Sequence, residues 1–299
     1  MYASGAVGIG ANALFGTKSE LAHEQNGGAM DKGPGFGLIV VGDEILSGKR
    51  ADKHFAKVVE LLAARGLRLE WAQYLPDERE RLMQALRRTF AGPDHVFCCG
   101  GIGSTPDDHT RQAAAEALGR ELVLHPEAAE LIAARCRDLA AEGRGSADMS
   151  TPENRQRLKM GEFPVGSKII PNPYNRIAGF AVQDHWFVPG FPVMAWPMIE
   201  WVLDSHYAAW FHRAPQAERS LIVFDTPESA IAPLMEDLES RFPSIKAFSL
   251  PSVGDGSDGR IARRHIELGV KGAPGQIEAA FAELKQAIAR IGVPFDERA

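Results

Sequence analysis

Cys99-Gly100-Gly101-Ile102-Gly103-Ser104-Thr105-Pro106-Asp107-Asp108-His109-Thr110 is the stretch on which the fold turns. It follows an apolar run, His95 to Cys99, and leads into Pro106 to Leu118, whose apolar residues recur on one face at helical spacing. A strand that ends in glycines and then enters a helix gathers free N–H groups and the positive helix end at one point, where an anion is stabilised. Glycine lets the backbone approach such a ligand closely. Local geometry has its own use for part of the motif, since Thr105 suits a helix N-cap, Pro106 the first helical position and Asp108 the third position of an acidic capping box. Capping requires neither three glycines nor two hydroxyls, so Gly100, Gly101, Gly103, Ser104 and Thr105 are expected to hold a phosphate-bearing ligand.

Working outward, short apolar runs alternate with helical patterns. Gly37 to Val41 reads as a strand, Asp52 to Arg65 as a helix, Leu67 to Leu75 as a strand and Glu78 to Phe90 as a helix before the strand at His95. After the glycine loop come a short strand at Glu121 to Leu124 and a helix from Glu127 to Ala141. Strands joined through crossing helices imply a largely parallel sheet covered on both faces. Residues Phe163 to Pro192 are crowded with Pro and Gly around apolar runs at Lys168 to Ile170, Gly179 to Val182 and Trp186 to Val188, the pattern of hairpins and ordered loops. Pro192 to Asp204 reads as a helix with Trp196 and Trp201 buried. A hydrophilic break at His212 to Glu218 precedes a fresh β-α-β-β-α pattern, with a Gly-, Ser- and Asp-rich loop at Ser252 to Arg260. The expected organisation is a tail over 1–34, an α/β domain over 35–212 and a small α+β domain over 219–299.

Two further strand ends carry acids. Gly42-Asp43-Glu44-Ile45-Leu46-Ser47-Gly48 follows the first strand, and Pro76-Asp77-Glu78-Arg79-Glu80 the second. Each has a structural reading: a turn with capping of the Asp52 helix for the first, an Asp77/Glu80 capping box for the second. Yet three successive strand ends each present an Asp, at the edge where open α/β sheets bind ligands. Carboxylates beside a phosphate repel it unless a divalent cation bridges them or they accept hydrogen bonds from a base or pterin ring.

Composition removes several classes. The net charge of −6, from 33 basic and 39 acidic residues, leaves no footprint for nucleic acid. Cys98, Cys99 and Cys136 show no metal-ligand spacing, and adjacent Cys98 and Cys99 must face opposite sides of their strand. They read as reduced core residues of a cytoplasmic protein. The apolar stretch Ala6 to Phe15 is too short to span a bilayer and lacks a basic leader, so no membrane association is expected. No HExxH, GxSxG, Walker A or GxGxxG pattern occurs, and His109 alone of nine histidines lies in a candidate site, where a surface role is expected.

With these residues assembled, the chain resembles the molybdopterin-binding domain superfamily, most closely the amino-terminal domain of the competence/damage-inducible protein A family and of eukaryotic FAD synthases. The resemblance runs from about Phe36 to Tyr207. It rests on Gly42 to Leu46 with Gly48 and Asp52, Pro76-Asp77, Gly100 to Thr110, Asn172-Pro173 with Gly179-Phe180, and Val188-Pro189-Gly190-Phe191-Pro192 with Met194. It implies a three-layer α/β/α domain with a mostly parallel sheet, followed by the small α+β domain. It also implies a pocket formed by Gly42, the Gly100 loop, Pro189 and Gly190 and lined by Asp77 and Asp108, for molybdopterin or a nucleotide. Two departures stand out: Asp52-Lys53-His54 replaces the family's Asp-Thr-Asn, and Ala178 replaces a Gly. No deamidase or adenylyltransferase activity is expected of this chain.

The expectation is therefore a phosphate-ligand site that hydrolyses a nucleoside pyrophosphate of the ADP-ribose or FAD class. A divalent cation such as Mg²⁺ would be held by some of Asp43, Glu44, Asp77 and Asp108, and a carboxylate would activate water. The rival is a module that binds molybdopterin or a nucleotide without turnover, in molybdenum cofactor assembly or sensing. Homo-oligomerisation is expected, with the apolar Trp196 to Trp210 region as its surface.

Overall fold

The computed structural model describes residues 33–213, 217–254 and 263–297. The expected tail, except its last two residues, and most of the Ser252 to Arg260 loop lie outside them. Two compact units, Met1–Phe211 and His212–Ala299, divide the chain.

In the first unit, β1 (Phe36–Val41), β2 (Leu69–Leu75), β3 (His95–Cys99) and β8 (His185–Val188) run parallel, and a hairpin of β6 (Lys168–Ile170) and β7 (Gly179–Val182) extends the sheet. The order is β2-β1-β3-β8-β7-β6, and β7 opposes both its neighbours. In-register pairing of Val41 with Leu75, and of Cys99 with Val40 and Val188, brings the carboxyl ends of four strands to one edge.

Strand alternation decides which residue enters which layer. Leu38, Val40, Phe97 and Cys99 face α2 (His54–Ala63) and α7 (Pro192–His206) through Val58, Leu62, Met198 and Val202. Ile39, Val41, Val96 and Cys98 face α3 (Arg79–Phe90) and α4 (Thr110–Leu118) through Leu82, Leu86, Ala113 and Ala114. The result is a three-layer α/β/α domain. Cys98 and Cys99 are free, fully buried and on opposite faces, and burial pushes both thiols up, Cys99 with a further push from its neighbour.

Three expectations require correction. The strand near Glu121 forms as β4 (Leu122–Leu124) but pairs antiparallel with β5 (Glu162–Pro164) in a separate two-stranded sheet. Between them lie α5 (Pro126–Ala141) and α6 (Pro152–Leu158), a helix the sequence reading did not place, whose Thr151 cap accepts the Asn154 amide. Trp201 is 38% exposed because it lies outside the α7 face that packs on the sheet.

The second unit is β9 (Ala217–Phe224), α8 (Glu228–Arg241), β10 (Ile245–Ser252), β11 (His265–Gly272), α9 (Pro274–Ile291) and β12 (Phe295–Glu297). Its antiparallel order, β10-β11-β9-β12, is that of a split-βαβ, ferredoxin-like domain. Leu221, Val223, Leu268 and Val270 pack on Ile231, Phe281 and Leu284 to form its own core.

Candidate functional site

The glycine loop occupies the strand-end edge for steric reasons. A Cβ on Gly100 would lie 2.4 Å from the Val41 carbonyl, and one on Gly101 would lie 2.2 Å from Thr110 Oγ1. Their φ angles, +109° and +68°, favour glycine in any case. Gly190, after β8, backs onto Gly100, where its Cβ would stand 3.4 Å from the Gly100 Cα. The Gly100 amide donates to Val188 O at 3.0 Å, so the β3 and β8 ends meet at the two glycines.

From below, α4 holds the loop. The buried Thr110 donates its hydroxyl to Gly100 O and its amide to Gly101 O, both at 3.0 Å. Arg111, 3% exposed, donates from Nη1 to Ile102 O at 2.8 Å, and its Nε has no partner among the described residues. Burial lowers the Arg111 pKa while Asp108 and Glu162 raise it, leaving a cation under the loop. From the side, Gln156 on α6 donates to Ser104 O at 2.5 Å.

Asp108 does not cap a helix at Thr105. Residues 106–107 form a separate turn, α4 begins at Thr110, and the Asp108 carboxylate reaches back into its own loop. It accepts the Gly103 amide at 2.8 Å, the Thr105 amide at 2.8 Å and the Thr105 hydroxyl at 2.5 Å. His109, half-buried, immediately precedes α4.

Asp43 and Asp77 are brought together, each accepting the other's backbone amide: Asp43 N–H to Asp77 Oδ2 at 2.9 Å and Asp77 N–H to Asp43 Oδ1 at 3.4 Å. This clasp joins the ends of β1 and β2, and it replaces the Asp77/Glu80 capping box. The start of α3 has no side-chain cap, and Glu80 instead accepts from Gln84. Burial raises the Asp77 pKa, and the charges of Asp43, Glu44 and Asp107 add to the rise. Glu44, in the short helix α1 (Asp43–Leu46), folds over Gly42 and stands 3.7 Å from Arg50.

The four acids therefore divide. Asp43, Glu44 and Asp77 share one corner, whereas Asp108 serves the loop, and among the described residues no three His, Cys, Asp or Glu side chains form a ready-made metal centre. The corner is rich in carboxylate oxygens, the donors a hard cation takes, and Arg50 is the cation that faces Glu44 there.

Sequence reasoning passed over Arg111 and His54. His54, buried at the head of α2, makes a 3.0 Å hydrogen bond between Nε2 and Gly190 O, tying the head of α2 to the end of β8. Its place in the Asp52-Lys53-His54 departure was the available signal. Arg111 had a weaker one: a large cation two residues before Ala113-Ala114-Ala115, where small side chains leave room beneath the loop.

Residues 37–208 match the family described as "Probable molybdopterin binding domain". A CinA-like protein of Citrifermentans bemidjiense is 33% identical over 203 residues, 67% of this chain and 46% of its own length. A CinA-like protein of an Anaeromyxobacter species is 31% identical over 268 residues, 83% of this chain and 61% of its own. The chain thus spans about half the length of the first of these relatives. The solved structure of CinA from Thermoplasma acidophilum has a TM-score of 0.49 at 25% identity, covering 57% of this chain and 98% of that one.

Proposed function

The chain belongs to the molybdopterin-binding domain family, and from that premise we propose that its strand-end edge binds a phosphate-bearing pterin or nucleotide and hydrolyses a nucleoside pyrophosphate. One observation carries the binding: the buried Arg111 cation beneath the Gly100–Thr105 loop, whose Gly100, Gly103 and Thr105 amides are already given to Val188 O and Asp108, so that the Gly101, Ile102 and Ser104 amides would meet the anion. Positive charge beneath a turn of backbone amides favours an anion above it.

Asp43 and Asp77 would supply at most two ligands to a divalent cation, the others coming from the phosphates and water, as Mg²⁺ commonly binds. Bound there, it supplies charge compensation for the anhydride. Asp77, with its raised pKa, is the acid best suited to take a proton from water. Asp108 is assigned to shaping the loop, not to metal or proton work, because its oxygens already serve Gly103 and Thr105.

Incubation with ADP-ribose, FAD, CoA or NAD and Mg²⁺, Mn²⁺ or Co²⁺ should release mononucleotides from the native chain and far less from Asp77→Asn. Equal behaviour of the two with every substrate ends the hydrolysis reading. Mg²⁺ alone should raise the melting temperature of the native chain more than that of Asp77→Asn, which tests the cation apart from turnover. Asp108's commitment to the loop favours the second reading, binding without turnover. Under it, molybdopterin or a nucleotide at about 100 times its Kd stabilises the chain by about 2.7 kcal/mol with no product formed.

A further inference from the structure

β2 is an edge strand of the six-stranded sheet. A groove of about 720 Å³ runs beside it, lined by Gln73 and Leu75 of β2 and by Arg81, Gln84, Arg87 and Arg88 of α3. A second hollow of about 220 Å³ shares Gln73 and Arg88 and continues toward Trp71 and Asp94, so the groove follows the strand. Arg81 pairs with Glu78 at 2.8 Å, but Arg87 and Arg88 have no carboxylate partner among the described residues. A local concentration of unneutralised cations in a chain of net charge −6 is the feature to explain.

We propose that this edge is a docking site for an extended acidic peptide, which adds to β2 as a further strand. The unpaired N–H and C=O groups of an edge strand bind an incoming backbone, and alternate side chains of that strand fall on one side. Those on the α3 side would place carboxylates against Arg88, Arg87 and Arg81. Charges that merely protect an edge sit on the strand itself. The one charge on β2 itself, Glu70, is paired with Arg68 at 2.7 Å; toward the groove the strand presents Trp71, Gln73 and Leu75, and the cations come from the neighbouring helix. A second copy of this chain is the poorer occupant, because two-fold pairing of β2 with β2 sets the same arginines against each other. The proposal stands independently of the ligand assigned to the glycine loop.

The test uses the full chain and a fluorescein-labelled peptide of four Val-Glu repeats, followed by anisotropy. Saturable binding is expected, weakened about tenfold or more by charge reversal in Arg87→Glu/Arg88→Glu and less by Arg88→Gln. Replacing a central Val and the Glu beside it by Pro, with one Glu added at the terminus to keep the charge, should weaken it comparably, since adjacent residues turn their N–H groups to opposite sides and one of the two is a ladder donor. Both arginines are exposed, so the variants should keep the native circular dichroism. Absence of binding overturns the proposal, as does binding unchanged by charge reversal, or a Pro peptide that binds equally. An oligonucleotide of equal charge that competes as well as the peptide would show a mere polyanion surface. A drop in sedimenting mass on charge reversal would make the edge a contact between copies, and also overturns it.

Discussion

Asp108 shows how a side chain's role follows from the atoms it reaches. One oxygen accepts Gly103 N–H, and the other accepts both groups of Thr105. Asp108→Asn keeps one acceptor and sets an NH₂ against an amide donor. Urea denaturation should show a loss of about 1–3 kcal/mol, and hydrogen exchange at Gly103 and Thr105 should accelerate. Asp77 makes a different prediction. Its folded-state pKa is raised, so its contribution to stability is fully present below the unfolded pKa and is lost as pH rises through the folded one. Asp77→Asn keeps an oxygen for the Asp43 amide and cannot ionise, so its melting temperature should gain on the native chain as pH goes from about 4 to about 7. The sequence showed three acids at strand ends but not their division, because hydrogen bonds between residues 34 positions apart, as in the Asp43–Asp77 clasp, have no local signature.

At the scale of elements, periodicity located most strands and helices within two residues, the His95–Cys99 strand at its full extent among them. It misplaced the start of α4, since Thr105, Pro106 and Asp108 satisfy capping rules equally well in a loop that folds back on itself. The helix read from Asp52 begins instead at His54, and Asp52 stands before it as an acceptor of the His54 amide at 2.8 Å and the Phe55 amide at 3.0 Å. It also accepts the Tyr74 hydroxyl at 2.9 Å, which, together with burial, pushes that phenol up to about 12. Asp52→Ala should cost about 0.5–2 kcal/mol in chemical denaturation. A spectrophotometric titration should show the Tyr74 phenolate forming at lower pH in that variant. An unmoved titration would detach the phenol from Asp52.

For the whole molecule, the α/β architecture could be read because each βα step is local and crossovers are right-handed. The β4–β5 pair could not, since it joins strands separated by two helices. The second unit's pattern was read up to α9; β12, three residues long, lacks the length for alternation to register. Because that unit has its own core, Phe281→Ala should destabilise it by about 3–5 kcal/mol. Hydrogen exchange should then open at Leu221 and Leu268, with β1 unchanged.

The strand order bears on how the chain reaches its native state. Between β3 and β8 lie α4, the β4–β5 pair, α5, α6 and the β6–β7 hairpin, so pairing Val96 with His185 closes a long stretch of chain. Closing so long a connection delays the reward for ordering it, so refolding should be slow, with the strand of Cys98 and Cys99 sticky on one side until its late neighbour arrives.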